Sequence, residues 1–311
     1  MRIAVMGVGG VGGYFGGKLA RYYANRNDVE VVFIARGAHL KAIQEKGLQQ
    51  ITVEGTFIAK PHVATDRPAG SGIFDLILFC VKAYDLEESA RMLKDSVDAR
   101  TVVISLLNGV DNGERLKAAL PTAQVLNGCV YISAYLDRPG VVRQIGGPCK
   151  LFFGPENGTR DTCVTIEGLL REAHIQAEYR NDIKTVVWEK FLFLSPLASI
   201  TSHLDKTFGQ IMEDKGSQRL LRGLLDEVGS VARAEGVDVP ENIWETSLEK
   251  MASFPPDTKT SMHLDFEKGR KTEVETLTGY VVRAARRHGI ATPLHDQVYA
   301  SLTKRLASQK A

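Results

Sequence analysis

Ile3, Ala4, Val5 and Met6 form a short apolar run that enters Gly7-Val8-Gly9-Gly10-Val11-Gly12 directly, and an amphipathic stretch follows over residues 14–23. Strand, glycine-rich turn and helix in this order constrain the chain more than any other feature. Gly7 allows the tight turn, Gly9 lets a phosphate come close to the backbone, and Gly12 lets the helix pack against the strand. The amides of Gly9, Gly10, Val11 and Gly12 then face a pyrophosphate at a helix N-terminus. The motif is specific only in this context, because glycine-rich turns are common. Gly16 and Gly17 are read as packing glycines of the same helix.

The second strand indicates which dinucleotide is expected. Residues 30–35 are a buried β-run, and the next residue normally addresses the adenosine ribose. An enzyme that uses NAD carries Asp or Glu there; this chain has Arg36, followed by Gly37-Ala38-His39-Leu40. A guanidinium matches a 2′-phosphate bidentately, so Arg36 points to NADP.

Strands and helices alternate through the first part of the chain. A hairpin-like excursion is expected over residues 47–66, and a central parallel strand over 74–81. A helix follows around 86–93, then a strand over 101–107 ending in Asn108-Gly109. Further strands are expected near 124–132, 141–145, 150–153 and 175–179, with a helix near 164–173. The expected fold is α/β: a doubly wound, Rossmann-type sheet with an antiparallel tail. Ligands of such sheets lie beyond the carboxyl ends of the strands, which makes Lys82 and Asn108 site candidates by topology.

From about Asp182 the strand signals fade and a helical period takes over. Helices are expected over 185–204, 218–235, 242–251, 272–288 and 293–306, with Gly236 and Gly289 as stops and Pro293 in a first turn. The domains are therefore 1–181, binding NADP, and 182–311, helical and catalytic, with the substrate held in a cleft between them. Phe254-Pro255-Pro256-Asp257 reads as a rigid loop ahead of Ser261.

At 311 residues the chain is long enough for two cores. A net charge of +2 gives no reason to expect nucleic acid or an acidic membrane as partner. Cys80, Cys129, Cys149 and Cys163 form no Cys-x-x-Cys pair and read as reduced thiols. The seven histidines show no metal-ligand spacing, so no metal is expected. With no signal peptide and no run of membrane-spanning length, a cytoplasmic protein is expected. The sequence leaves subunit number open, with a homodimer among the options.

Two ionisable residues of the helical part attract attention. Lys190 shares a face with Leu194, Leu197 and Thr201, and a lysine there either snorkels to water or sits desolvated with a depressed pKa. The second setting suits a proton donor near neutral pH. Pro196 is expected to kink this helix. Glu273 shares an expected face with Leu277, Tyr280 and Ala284. By spacing alone it reads either as a carboxylate bonded to substrate or as a first-turn helix stabiliser.

Several separated segments together resemble the ketopantoate reductase (2-dehydropantoate 2-reductase) family. They are the run from Gly7 to Gly17, Ala35 to Leu40, Val81-Lys82-Ala83-Tyr84-Asp85, Asn108-Gly109, Trp188-Glu189-Lys190, and Ser261 to Glu273. They occur in the family's order along nearly the whole chain. The resemblance implies NADPH as cofactor and a small 2-oxo acid as substrate. It implies Lys190 as general acid, Glu273 bonded to a substrate hydroxyl, and Ser261 on the substrate carboxylate. It places Asn108 between nicotinamide ribose and substrate, and Lys82 near the cofactor. It also implies domain closure about a hinge near Asn181. The expected activity is reduction of 2-dehydropantoate to pantoate, in pantothenate and coenzyme A synthesis. The chain departs from the family pattern at Leu194 and Ala198, where members commonly carry asparagines, and at Phe208-Gly209, where an asparagine–glycine pair is common. A different 2-oxo acid is therefore a second reading, and a non-catalytic NADP sensor a third.

Overall fold

The computed structural model describes residues 1–155 and 160–310, in two compact units, Met1–Val186 and Val187–Ala311. Unit 1 contains β1 (Arg2–Met6), α1 (Gly10–Tyr22), β2 (Glu30–Ile34), α2 (Gly37–Lys46), β3 (Leu48–Thr52), β4 (Gly55–Ala59), β5 (Val63–Thr65) and β6 (Leu76–Phe79). It continues through α3 (Leu86–Met92), β7 (Val102–Ser105), α4 (Asn112–Ala119), β8 (Gln124–Arg138), β9 (Val141–Gly154), α5 (Arg160–Glu172) and β10 (Gln176–Tyr179).

These strands form one sheet in the order β4-β3-β9-β8-β7-β6-β1-β2-β5, with β10 paired to β9. From β8 to β5 every pair is parallel. Successive side chains of a strand leave on opposite faces, so a strand covered on both sides must be apolar throughout. Ile3, Val5, Val31, Phe33, Leu76 and Leu78 enter one core with Phe15 and Leu19 of α1. Ala4, Met6, Val32, Ile34, Ile77 and Phe79 enter another with Leu86, Ala90 and Leu116 of α3 and α4. The chain leaves β1 for β2 on one side and later returns as β6 on the other. The crevice beyond β1 and β6 is therefore a topological switch point.

The excursion after α2 is the expected hairpin, β3–β4, with the turn at Val53-Glu54 and β5 adding to β2. The tail differs from expectation. In place of three short strands, β8 and β9 make one long antiparallel hairpin with register shifts at Tyr131/Ser133, Ser133/Ala134 and Leu136/Arg138. Gly147 (φ 83°) and Cys149 (φ 54°) break the alternation along β9, yet pairing with β8 carries the strand through them.

Unit 2 begins inside α6 (Ile183–Leu204) and continues with α7 (Phe208–Glu213), α8 (Lys215–Ala234), α9 (Ile243–Ala252), α10 (Ser261–Glu267), α11 (Thr278–His288) and α12 (Pro293–Lys310). Its described residues contain no strand. Leu221, Leu224, Leu225, Val228, Val231 and Ala232 give α8 one buried face. Gly289 ends α11 in the left-handed conformation, and α6 runs on through Pro196. The short helices α7 and α10 are too brief for a periodic signal. The helix expected from residue 272 starts only at Thr278, and residues 274–277 form a turn whose Thr276 and Leu277 amides both donate to the Glu273 carbonyl. Glu273 is thus outside α11, and the helical face assigned to it does not exist.

One half-buried carboxylate anchors the last helix. Glu227 of α8 accepts from the amides of Leu294 and His295, both at 2.8 Å, and lies 2.7 Å from Nδ1 of the fully buried His295. Burial pushes the Glu227 pKa up, but these hydrogen bonds outweigh it and hold it below 4.5. Its stabilisation is therefore complete above pH 4.5 and is lost as pH falls through the folded-state pKa. Glu227→Ala is expected to cost about 2–3 kcal/mol in urea unfolding at pH 7. The difference from the parent chain should shrink in the same melts at pH 3.5.

Candidate active site

The glycine-rich turn is built by close approach. A Cβ on Gly12 would lie 2.0 Å from the Gly7 carbonyl oxygen, and one on Gly7 (φ +90°) would lie 2.8 Å from Val81 Cγ1. At Gly9 a Cβ would meet nothing within 4 Å. Two glycines of the motif are thus required by the protein's own packing, whereas Gly9 faces open space. Gly9 is also the N-cap of α1, and no side chain caps that end or adds a carboxylate to its first turn. Such an end offers amides and partial positive charge to an anion. Val8, between them, is 3% exposed.

His39 holds this turn in place. The Gly140 amide donates to its Nδ1 at 2.9 Å, so the ring proton is on Nε2, which donates to the Val8 carbonyl at 2.7 Å. Burial lowers the His39 pKa below 6.5 and keeps the ring neutral. His39 thereby links the phosphate-loop candidate to the β8–β9 turn, which periodicity and motif reading did not reveal.

Arg36 follows β2 as the N-cap of α2, with a side chain 77% exposed; its Nη2 donates to Asp85 Oδ2 at 2.9 Å. Lys82 and Asp85 follow β6, where Asp85 N donates to Lys82 O at 2.8 Å in the turn Ala83–Asp85. Asn108 follows β7, and its carbonyl accepts from Asn112 Nδ2 at 2.8 Å. Lys82 and Asn108 are half-buried. Unit 1 thus brings Gly7 to Gly12, Arg36, Lys82 and Asn108 to the carboxyl ends of β1, β2, β6 and β7.

In unit 2, α6 places Lys190, Leu194, Leu197 and Thr201 along one face; Leu197 and Thr201 are buried and Lys190 is half-buried. The segments around Lys190 and after Glu273 pack together. Trp188 and Phe191, flanking the lysine, meet Tyr280 edge-on at centroid distances of 6.0 and 5.6 Å. Two to three turns further along α6, Ser199 Oγ lies 2.7 Å from Thr278 Oγ1, and Thr201 Oγ1 lies 2.8 Å from Thr260 Oγ1. Glu273 is 2% exposed. Ser261, by contrast, is exposed at the start of α10, beside the buried Thr260. Residues 194 and 198 present a half-buried leucine and a buried alanine. The hydroxyl partners Ser199 and Thr278 carry no signature in the sequence, since Ser and Thr have none outside caps and turns, and Thr260, the N-cap of α10, precedes a helix too short to show one.

Two other features lie apart from these residues. A cavity of about 660 Å³ in unit 1, lined by Tyr14, Lys18, Arg21, Phe57, Cys149 and His174 among others, contains none of the expected site residues. Among the described residues, Asp205, His263 and Glu267 bring potential metal-ligand atoms within 4.8 Å of one another. There Lys259 already pairs with Glu267, and Arg305 lies 3.8 Å from Asp205, so cations of the chain neutralise both carboxylates.

His39→Ala removes the tie between Val8 and Gly140. It should weaken dinucleotide binding by about fivefold to tenfold. Because the folded-state pKa lies below 6.5, the anchoring is complete above that pH and fades as pH falls toward the folded value. Titrating dinucleotide fluorescence at pH 7.5 and 5.5 checks both points: affinity should drop with pH in the parent chain and drop less in the variant.

Comparison with known proteins agrees with this architecture across both units. Residues 3–158 match the family model described as "Ketopantoate reductase PanE/ApbA", and residues 182–305 match its C-terminal counterpart. The chain is 33% identical to a 2-dehydropantoate 2-reductase of Halobacterium salinarum, over 94% of this chain and 95% of that protein. It is 31% identical to a Bacillus subtilis protein called "Uncharacterized oxidoreductase YkpB", over 97% of this chain and 98% of that one. The crystal structure of 2-dehydropantoate 2-reductase from Porphyromonas gingivalis superposes with a TM-score of 0.84 at 35% identity, covering 97% of this chain and 99% of that one. The chain belongs to the ketopantoate reductase PanE/ApbA family of oxidoreductases.

Proposed function

We propose that this chain reduces 2-dehydropantoate to pantoate with NADPH, a step of pantothenate and coenzyme A synthesis. The observation that carries the reading is in unit 2. A lysine on an otherwise apolar face of α6 and a carboxylate 2% exposed lie on segments joined by the Trp188, Phe191 and Tyr280 rings. In unit 1, the open face at Gly9 and the uncapped start of α1 fit a pyrophosphate, and the exposed Arg36 fits a 2′-phosphate. Lys82 and Asn108 complete the cofactor contacts.

When bound, the reduced nicotinamide supplies a hydride to the carbonyl carbon of the substrate. The chain's own residues do the rest. Lys190 places its ammonium against the carbonyl oxygen, stabilises the negative charge that grows there and gives that oxygen a proton from Nζ. Glu273 accepts a hydrogen bond from the substrate hydroxyl, and Ser261 and Asn108 hold the carboxylate and the reacting end.

A second reading keeps this chemistry and changes the substrate. Leu194 and Ala198 line the Lys190 helix where family members commonly carry asparagines, so a less polar 2-oxo acid also suits the pocket. Following NADPH absorbance against a panel of 2-oxo acids separates the two: a strong preference for a substrate without the 4-hydroxyl excludes pantoate formation. No turnover with any of them would favour an NADP-binding sensor.

Lys190→Ala should lower kcat by about 10²–10⁴-fold and leave NADPH affinity unchanged. A rate within a few-fold of the parent would remove Lys190 from the role of proton donor. Arg36→Ala should weaken NADPH by about tenfold or more, with little effect on NADH. Equal losses for both would refute a 2′-phosphate contact.

A further inference from the structure

The residue assigned to the 2′-phosphate is already held by a carboxylate. Arg36 Nη2 donates to Asp85 Oδ2 at 2.9 Å, and the two side chains differ in exposure, 77% for the arginine and 18% for the aspartate. Asp85 is fixed by its backbone, closing the turn Ala83–Asp85 with its amide on Lys82 O and serving as the N-cap of α3. The arginine is thus the exposed arm that reaches across, and the aspartate is the stationary partner. These residues follow β2 and β6, which flank β1 on either side.

This pair presents two opposite recognition groups at the adenosine end of the site. A phosphate monoester carries about −1.5 to −2 charges near pH 7. To engage Arg36 it must compete with Asp85 for the guanidinium and tolerate the carboxylate's charge. A ribose with a free 2′-hydroxyl meets the reverse situation, because a carboxylate at this place accepts from that hydroxyl. We infer that Asp85 is a specificity-determining residue that narrows the discrimination between NADPH and NADH, by sequestering Arg36 and by offering an acceptor to an unphosphorylated ribose. The inference rests on the dinucleotide reading given above and sharpens it: a nearby carboxylate tempers the preference that Arg36 creates.

Asp85→Asn keeps the size of the side chain and removes its charge. Dissociation constants for NADP⁺ and NAD⁺ are to be measured calorimetrically for the parent, D85N, R36A and the double variant. In D85N, NADP⁺ should bind more tightly and NAD⁺ less tightly, raising the NADP⁺-over-NAD⁺ affinity ratio by about tenfold. In the Arg36→Ala background the same substitution should raise the ratio much less, since no guanidinium is left to release. An unchanged or lowered ratio in D85N, with binding intact, overturns the inference and leaves the dinucleotide reading standing. An equal rise with and without Arg36 overturns the sequestration. A parent chain that binds neither dinucleotide overturns reading and inference together. If D85N loses its folded circular dichroism, Asp85→Ser, which also removes the charge, carries the same test.

Discussion

Unit 1 depends on the close contact of α1 with the turn that precedes it. At Gly12 a single extra carbon would sit 2.0 Å from the Gly7 carbonyl, so α1 starts where it does only because neither residue has a side chain. The same helix lies so near the long hairpin that a Cβ on Gly10 would fall 2.2 Å from the Ala134 carbonyl, and Gln50 reaches in to donate to the carbonyls of Gly13 and Tyr14. Displacing α1 would misplace its free amides, the Val8 carbonyl held by His39, and the crevice between β1 and β6. Packing and the presentation of the helix-start amides are therefore two uses of one geometry. Gly9 is the exception, since the protein itself makes no demand on it.

Unit 2 solves a different problem, that of holding polar groups inside a helical core. Ser199, Thr201 and Thr278 are fully buried and Glu273 nearly so. Such groups cost stability unless they are bonded, and the hydroxyl pairs between α6 and its neighbours meet that cost locally. They also fix the axial position of α6 against the segments that carry Glu273 and Ser261. This polar seam therefore holds α6 in register with those segments.

Much of unit 1 was legible because its signals are local. An apolar run such as residues 76–79, set between turn signals, fits a strand covered on both faces, and the Gly-x-Gly-x-x-Gly spacing defines its turn once a strand precedes it and a helix follows. The β8–β9 hairpin was read as shorter pieces, because Gly146-Gly147-Pro148 interrupts the pattern while cross-strand bonds from distant residues restore it. Glu273 shows the opposite error. Its spacing to Leu277 and Tyr280 satisfies a helical period, yet the chain there makes a turn on the Glu273 carbonyl before α11 begins. The ties made by His39, Asp85 and the buried hydroxyls are not legible in the sequence for one reason: each joins residues far apart in the chain through one or two hydrogen bonds, which leave no periodic trace.

The two threonines that join α6 to α10 carry a direction. Thr201 Oγ1 has one proton, and the Leu197 carbonyl takes it at 2.7 Å. Thr260 must then be the donor in the 2.8 Å bond between the hydroxyls, while its own lone pair receives the His263 amide. The series runs one way only, from the His263 amide through two hydroxyls to a main-chain oxygen of α6. A methyl in place of either hydroxyl would strand different atoms: at 201 it would leave a proton on Thr260 without an acceptor, and at 260 it would leave a lone pair on Thr201 and the His263 amide without partners. Two residues of the same type, touching each other, are therefore not equivalent, and the polarity of their contact is written into the backbone on either side.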